Sequence, residues 1–569
     1  MPRSATGVIG LLARAASSPT GERALVALTL SRLTLARRRG RALDAALEAS
    51  RRARFLSDRG STGRAHGLLS AAAARLTGPE QAVLAVEDAA VSLDAAEEPR
   101  RWGPALEATL ALADASWLAG QDRRTEELLD AVLRLLFHPE LHFSSSPSAL
   151  AEDPVDHLGA LHASHAWAAL TSPHRAPEGG GSASAEAAGP AESADPGEDR
   201  QDPQTGADRP RRVLFVSMTN WNFVRDIVAD YRADPRYEVR TLDPGAPGVL
   251  PTRPSRQGLL AQRLRTARAG APPQVPEPVA QDLAWAETIF VEWGAAAAVW
   301  VSLVRPYLAP RARLIVRVHS FEASTPWPQL VDWSAVDVLL TVSPAISALL
   351  EESLDLPRRL ERVTLPNRAV LTDYHLPKTD RAPRTIAMVG WGSVRKDPGW
   401  TLDVLDLLRQ DDPSWRLLLI GPDFPEATGL TASQARTAAE VHARIERLGQ
   451  AVTITGQTDV VAEHLRDAAV IVSSSRREGT HEGFIQGVAS GALPVCRDWP
   501  DVAAWGGPGA LFPTEWVVRT PAEAVERIRV LADDHGYREA QARLVLDRWD
   551  WSVVRGSYDA LLEGPRAED

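Results

Sequence analysis

Short apolar runs rich in β-branched residues alternate with helical segments from about residue 211 to the end of this 569-residue chain. This alternation is how parallel, doubly wound sheets are encoded, because each crossover between parallel strands needs a helix. The runs form two series of about 170 residues, each the size of one domain. The sequence therefore predicts two α/β domains in tandem with a cleft between them. The predicted strands are Val213–Ser217, Tyr237–Leu242, Thr288–Glu292, Leu314–Val318 and Val336–Val342, then Thr385–Val389, Arg416–Ile420, Val452–Thr455, Ala469–Ser473 and Ala492–Cys496.

Residues 1–172 carry a different pattern, with helical segments rich in Ala, Leu and Arg and no strand signal. Residues 173–210 are mostly Gly, Ser, Ala, Glu, Asp and Pro, and such a stretch cannot bury enough surface to offset its ordering entropy. The predicted organisation is an all-α domain, a disordered linker, two Rossmann-like domains and a C-terminal helix that crosses back. Their bounds are 1–172, 173–210, 211–375, 376–545 and 546–569.

Charge and composition exclude several classes of protein. The net charge of −11 argues against nucleic-acid binding, which needs a positive face. Residues 1–65 nevertheless hold thirteen arginines against four acidic residues, so this segment either docks on a membrane or a protein partner or is a solvated helix face. The single cysteine, Cys496, excludes an internal disulfide. With no apolar run of about 20 residues, we predict a cytoplasmic protein, with attachment to the inner face of the plasma membrane as one option.

The strongest motif is SSSRREGTHEGFIQGVASGALPV, residues 473–495, in which a buried strand leads through a polar loop into a helix predicted to begin near Thr480. It resembles the Glu-x7-Glu motif of retaining GT-B glycosyltransferases of family 4, also called group 1. Glu478 takes the first position of the motif, and Gln486 stands where the family has its second Glu. The resemblance implies that Glu478 contacts the donor sugar and that residue 486 contacts the ribose.

A second motif, TIAMVGWGSVRKDPGW at residues 385–400, ends its strand at Gly390. In the family an Arg and a Lys at this place grip the donor diphosphate. Lys396 matches the Lys, whereas Trp391 stands on the Arg position and Arg395 is the nearest replacement. Positive charge is needed here because the leaving diphosphate gains negative charge as the glycosidic bond breaks.

A third motif, RLIVRVHSFEAST at residues 313–325, places His319 at a strand end, where the resemblance implies contact with the donor sugar and suggests Glu322 for the acceptor. Two further loops resemble the family less strongly and contribute Gly421 and Gln457 on the donor side. The loop at residues 217–223 lacks the paired glycines of the family, and its Asn220 is a candidate on the acceptor side. Among the tryptophans that follow strand ends, Trp293, Trp391 and Trp499 are candidates for ligand contact.

The resemblance implies a metal-independent, retaining glycosyltransferase that needs no cofactor. Its donor would be a nucleotide-diphosphate sugar, and its acceptor a carbohydrate or lipid-linked molecule of the bacterial envelope or capsule. Two alternatives stay open. Gln486 and Trp391 are also what a catalytically degenerate sugar-nucleotide scaffold would carry. The same fold also serves epimerases and polyol-phosphate transferases.

Overall fold

The computed structural model describes residues 18–38, 40–99, 101–172, 209–426 and 430–564, so most of the linker predicted over 173–210 lies outside the described residues. The N-terminal part of the description is all helical, as predicted. In the helix Asp122–Leu136, leucines and a valine at positions 128, 129, 132, 135 and 136 form the buried stripe that the sequence pattern requires. The helices are Pro19–Arg38, Ala42–Ser57, Thr62–Ala73, Gln81–Asp94, Gly103–Leu118, Asp122–Leu136, Pro139–His142, Ala149–Glu152, Pro154–His162 and His165–Thr171.

The first α/β domain contains a parallel sheet of six strands in the order β2-β1-β3-β4-β5-β6. Because the strand order reverses between β1 and β3, the loops after these strands open a crevice at the carboxyl edge of the sheet. The strands are β1 (Arg211–Val216), β2 (Tyr237–Leu242), β3 (Thr288–Glu292), β4 (Arg313–Val318), β5 (Val338–Thr341) and β6 (Glu361–Thr364). The helices are Asn222–Ala233, Arg256–Ala269, Glu277–Trp285, Ala296–Leu303, Trp327–Leu330 and Pro344–Ser353.

The second α/β domain repeats this plan with the strand order β12-β11-β10-β7-β8-β9. Its switch in strand order falls between β7 and β10, the two strands that precede the strongest sequence motifs. The strands are β7 (Thr385–Val389), β8 (Arg416–Ile420), β9 (Val452–Ile454), β10 (Val470–Ser473), β11 (Leu493–Arg497) and β12 (Val517–Val518). The helices are Pro398–Asp411, Ala432–Leu448, Val461–Leu465, Glu482–Ala489, Pro521–Leu531 and His535–Trp549, followed by Trp551–Glu563.

The sequence analysis missed two strands, β6 and β12. Both lie at a sheet edge, and both are short. In β6 three of the four residues are exposed, so the strand lacks the apolar run that reveals a buried one. Edge strands of this kind leave little hydrophobic signal in a sequence.

The last helix, Trp551–Glu563, packs on the first sheet although it follows the second domain in the chain. The Tyr231 hydroxyl donates a hydrogen bond to Asp559, and Arg317 donates one to the Tyr558 hydroxyl, at 2.8 and 2.9 Å. These contacts tie the end of the chain to the first domain.

The helical domain is not a separate appendage. Its contacts reach both α/β domains: Arg256 of the first domain pairs with Asp130 at 2.9 Å, and the Trp505 indole of the second domain donates to the Ala151 carbonyl at 2.7 Å. The helical domain therefore packs against both α/β domains, because a long linker does not prevent the segments at its two ends from packing against each other.

Much of the positive charge in the basic N-terminal segment is compensated within the helical domain. Arg54 bridges Glu87 and Asp130, and Arg51 pairs with Glu127. Membrane docking through this segment stays a prediction. Across the described ranges, every helix is too short or too polar to traverse a lipid bilayer.

Candidate active site

Lys396 and Glu478 meet at the carboxyl edge of the second sheet. The Lys396 ammonium lies 2.7 Å from Glu478 Oε1, and the Ser475 hydroxyl donates to the same carboxylate oxygen at 2.6 Å. Burial opposes the charge on Glu478, but nearby positive charge, chiefly that of Lys396 and also that of Arg395, favours it, and the net effect lowers the pKa of the carboxyl. Glu478 is therefore ionised throughout the physiological range. The two strongest sequence motifs thus converge on one buried ion pair.

Hydrogen bonds between the two loops hold this pair in place. The Ser474 hydroxyl donates to the Lys396 carbonyl, and the Arg476 amide donates to the Arg395 carbonyl, both at 2.8 Å. Arg395 adds a second positive charge close enough to influence Glu478. Lys396 and Arg395 together form the cationic side of the site.

Glycines bring the loops of the second domain close together. Gly390 follows β7 with a φ of +74°, and Gly421 follows β8 with a φ of +111°, backbone conformations that L side chains rarely adopt. A Cβ on Gly421 would lie 3.4 Å from the Gly390 nitrogen. The helix after Lys396 starts at Pro398, as predicted, and the Asp397 side chain caps it.

His319 lies at the carboxyl edge of the first sheet within a buried ionic network. Its Nε2 is 2.8 Å from Glu292 Oε1, and Arg317 Nε donates to Glu292 Oε2 at 2.6 Å. Burial raises the pKa of Glu292, but Arg317, followed by the contact with His319, outweighs this effect and lowers the pKa overall. Glu292 is thus an anion that fixes the orientation of the His319 ring.

Two aromatic rings lie beside the His319 imidazole. Trp293 and Phe223 lie 4.4 and 5.3 Å from the imidazole, centroid to centroid. Trp293 has a φ of +70°, and its indole donates to the Asn220 carbonyl, itself at a φ of +50°. Strained non-glycine backbone of this kind concentrates at functional sites. Trp293 is therefore the tryptophan best placed to contact a ligand.

Glu322 is buried beneath His319. Its Oε1 accepts hydrogen bonds from the Gly294 and His319 amides at 3.1 and 3.3 Å. Burial raises the pKa of this carboxyl. Glu322 thus supports the backbone of the site and is only 1% exposed, whereas Asn220, the other predicted acceptor residue, has an exposed side chain.

The Glu478 loop touches the first domain directly. The Thr480 hydroxyl donates to the Val342 carbonyl at 2.9 Å, and a Cβ on Gly479 would lie 2.5 Å from Val342 Cγ2. The helix that follows begins at Glu482, two residues later than predicted, because His481 adopts a φ of +52° and serves as its N-cap. The two domains are therefore closed on each other at this loop.

We expect Gly479→Ala to hold the two domains apart, because the added methyl meets the Val342 side chain below van der Waals distance. Turnover should fall by up to about 100-fold, as expected when catalytic groups are displaced by roughly 1 Å. The double variant Gly479→Ala/Val342→Ala should recover much of this loss. Gly509→Ala, at a site with nothing within 4 Å, is the control. Turnover equal to wild type in Gly479→Ala would contradict the close approach.

The predicted ligand contacts of the Trp391 and Trp499 side chains are wrong, because both indoles are buried. The Trp391 indole lies in the hydrophobic core of the second domain, edge-on to Phe424 at 5.7 Å. The Trp499 indole is also fully buried, and it donates to the Ser473 hydroxyl at 3.1 Å. Both rings face the core because a large apolar side chain at the end of a buried strand gains more from packing than from solvent.

Gln457 and Gln486, the two glutamines predicted on the donor side, lie in different surroundings. Gln457 is exposed in the loop after β9. Gln486 is half-buried one turn after Glu482 and lines a cavity of about 630 Å³ between the two α/β domains. This cavity also has Asn222, Asp226, Asp230, Arg368, Asp373 and Tyr374 in its wall.

Sequence reasoning missed Glu482, which lies between the two sheet edges. Burial raises the pKa of its carboxyl, while a hydrogen bond with Asn367 and then the nearby cationic side chains, Arg317 and Lys396 among them, partly oppose that rise. Its Oε1 has no hydrogen-bond partner within the described ranges. The sequence did contain a signal for this residue. Glu482 precedes Gln486 by one helical turn, so the two side chains lie on the same face of the helix. Glu292 and Arg317 were missed because nothing in a strand sequence shows which buried charges pair.

Two facing Rossmann-like domains, with polar and charged residues from both at the shared cleft, define the GT-B fold. Within it, residues 383–534 match the family model described as Glycosyl transferases group 1, so the second α/β domain belongs to that family.

Two curated relatives extend the comparison. This chain is 25% identical, over 179 residues, to a GDP-mannose:cellobiosyl-diphosphopolyprenol alpha-mannosyltransferase of Xanthomonas oryzae pv. oryzae, which aligns 31% of this chain with 45% of the relative. A protein of the same description from Xanthomonas campestris is 25% identical over 198 residues, 33% of this chain and 50% of the relative. The chain thus spans about half the length of these relatives.

Among solved structures, a sucrose-phosphate synthase of Thermosynechococcus elongatus is 15% identical, with a TM-score of 0.45 over 62% of this chain and 98% of that chain. Within the described residues, no three side chains of His, Cys, Asp and Glu come together in a group that could hold a metal ion. Independence of metals and cofactors stays a prediction.

Proposed function

We propose that the protein transfers a sugar from a nucleotide-diphosphate sugar to a carbohydrate or lipid-linked acceptor, with retention at the anomeric carbon. The observation that carries this proposal is the Lys396–Glu478 ion pair, at 2.7 Å, in a cleft that His319 enters from the opposite domain. The match of residues 383–534 to the group 1 family supports it. Retention is inferred from the resemblance of the Glu478 motif to retaining enzymes.

In the proposed reaction the bond from the anomeric carbon to the diphosphate oxygen breaks, and a bond to an acceptor hydroxyl oxygen forms. The acceptor proton moves to the leaving diphosphate. Lys396 and Arg395 would stabilise the charge that develops on the diphosphate, because preorganised cations in a site of low dielectric act without reorganisation. Glu478 and His319 would hold the donor sugar by its hydroxyls.

The first test is release of a nucleoside diphosphate from a panel of nucleotide sugars, with and without carbohydrate and lipid-linked acceptors. GDP-mannose belongs in the panel because it is the donor in the names of the Xanthomonas relatives. NMR of the product would report whether the anomeric configuration is retained. Inversion would refute the proposed stereochemistry. Conversion of the free nucleotide sugar without an acceptor would instead indicate an epimerase.

A catalytically degenerate scaffold that binds nucleotide sugars is the second candidate. Two observations favour it. Trp391 packs in the core at the position where the family has a cationic Arg, and Gln486 is uncharged where the family has a Glu. Tight binding of nucleoside diphosphates without any turnover across the panel would support the scaffold. Turnover of one donor would exclude it.

Gln486→Ala is expected to weaken nucleoside diphosphate binding by about five-fold, because one hydrogen bond to the ribose contributes about 1 kcal/mol. Gln486→Glu should retain affinity, since a carboxylate accepts the same hydrogen bonds. Isothermal titration calorimetry measures both. The control is Gln281→Ala on an exposed helix of the first domain. An unchanged dissociation constant in Gln486→Ala would remove this residue from the donor site.

We propose the cytoplasm as the location, at the inner face of the membrane when the acceptor is lipid-linked. Binding to vesicles with and without anionic lipid tests the attachment.

A further inference from the structure

Three residues, one from each domain, meet beside the proposed active site. Arg477 of the second domain is fully buried and donates a hydrogen bond to the Ser324 hydroxyl of the first domain. Its guanidinium carbon lies 5.0 Å from the centroid of the Phe143 ring, which belongs to the helical domain. Within the described residues, Arg477 Nε and Nη2 have no hydrogen-bond partner. The Phe143 ring face therefore compensates part of the charge of a desolvated cation.

Arg477 keeps its charge in this place. Burial and the nearby positive charge of Arg395 lower its pKa to about 10, still well above neutral pH. Burial of a charged guanidinium with two unpaired nitrogens is unfavourable, so the remaining contacts of the group must offset that cost. The Phe143 ring and the Ser324 hydroxyl contact the guanidinium directly, and the charges of Asp501 and Glu478 also favour it.

Phe143 is itself fixed by both α/β domains. Its carbonyl accepts a hydrogen bond from Gln434 Nε2 of the second domain at 2.9 Å, and its ring lies 5.1 Å from that of Phe321 in the first domain. Two other contacts follow the same pattern. Ala151 accepts from Trp505 of the second domain, and His162 lies 3.2 Å from Gln329 of the first. Residues 143–162 thus span the cleft.

Glu478 is the next residue in the chain after Arg477, so contacts that hold Arg477 also restrain the backbone at Glu478. On its other side, Arg476 pairs with Asp501 at 2.7 Å. We infer that Phe143 is a positioning residue of the active site: through Arg477 it holds the Glu478 loop against the first domain. This inference rests on the proposed function, because it assigns the helical domain a part in that reaction.

Phe143→Ala is the test in the full chain. We expect kcat to fall about ten-fold, the effect of 1.4 kcal/mol in the barrier, while the dissociation constant of the nucleoside diphosphate stays unchanged because Phe143 does not touch the donor residues. Phe143→Leu, which keeps the apolar contact but not the ring face, should lie between wild type and alanine. Val155→Ala, at an exposed site of the helical domain, is the control and should match wild type.

Hydrogen exchange provides a readout that does not depend on activity. Amides of residues 475–481 should exchange faster in Phe143→Ala than in wild type or Val155→Ala, while the core strand β10 keeps its protection. If no nucleotide sugar turns over, the proposed function fails and exchange alone decides the positioning role. Unchanged exchange over 475–481 would overturn the inference. So would a fall in kcat accompanied by equal loss of protection in β10, which signals general destabilisation.

Discussion

Lys396→Met is expected to lower turnover by about 10²–10³-fold, the loss that follows removal of one preorganised group facing developing charge. The chain offers a matched control because it has only one other lysine, Lys378. Its ammonium donates to the Leu465 carbonyl and the Ser490 hydroxyl, both at 2.9 Å, and makes no contact with the Glu478 loop. Lys378→Met should retain turnover. Equal losses in the two variants would refute the assignment of Lys396.

A double variant separates the contribution of the Lys396–Glu478 ion pair to stability from its contribution to turnover. Lys396→Met leaves the buried Glu478 carboxylate without its closest partner, so the free energy of unfolding should fall. The double variant Lys396→Met/Glu478→Gln removes both charges and should recover stability. Its turnover should remain low, because the donor diphosphate still lacks its cation. Recovery of turnover in the double variant would mean that Lys396 acts only through folding.

Glu292→Gln is expected to lower the free energy of unfolding by about 3–5 kcal/mol, the effect of removing one partner from a buried ion pair. The reason is that Arg317, which is fully buried, would keep its charge and lose its carboxylate. His319 would also lose the anion that orients its ring. Urea denaturation measures the change, and turnover should fall as well.

The control for Glu292 is Glu361→Gln on the same sheet. Glu361 pairs with Arg313 at 2.6 Å but is 51% exposed, so water replaces the lost interaction and the change should stay below about 1 kcal/mol. A similar small change in Glu292→Gln would show that the buried network contributes little to stability.

Several elements could be predicted because their signal is local. The strands β7 and β10 are continuous apolar runs, and the polar loops after them carry Lys396 and Glu478. Parallel strands place their carboxyl ends at one edge of the sheet, so the convergence of these loops follows from topology. The pairing of the two side chains at 2.7 Å agrees with that expectation.

Other features depended on contacts between distant parts of the chain. The sequence places Trp391 at a strand end, but whether its indole faces the cleft or the core depends on Phe424, 33 positions later. The Glu292 network joins two strands and the last helix through Arg317 and Tyr558. No local pattern records such partners.

The sequence by itself determined the two α/β domains, the all-helical start and the loops that carry the site, because apolar periodicity and turn residues act over a few positions. Only the tertiary structure decided which way each side chain faces, how the Glu478 loop meets Val342, and that the helical domain packs across the cleft. Those outcomes depend on close packing and on the burial of charge, which residues far apart in the chain settle together.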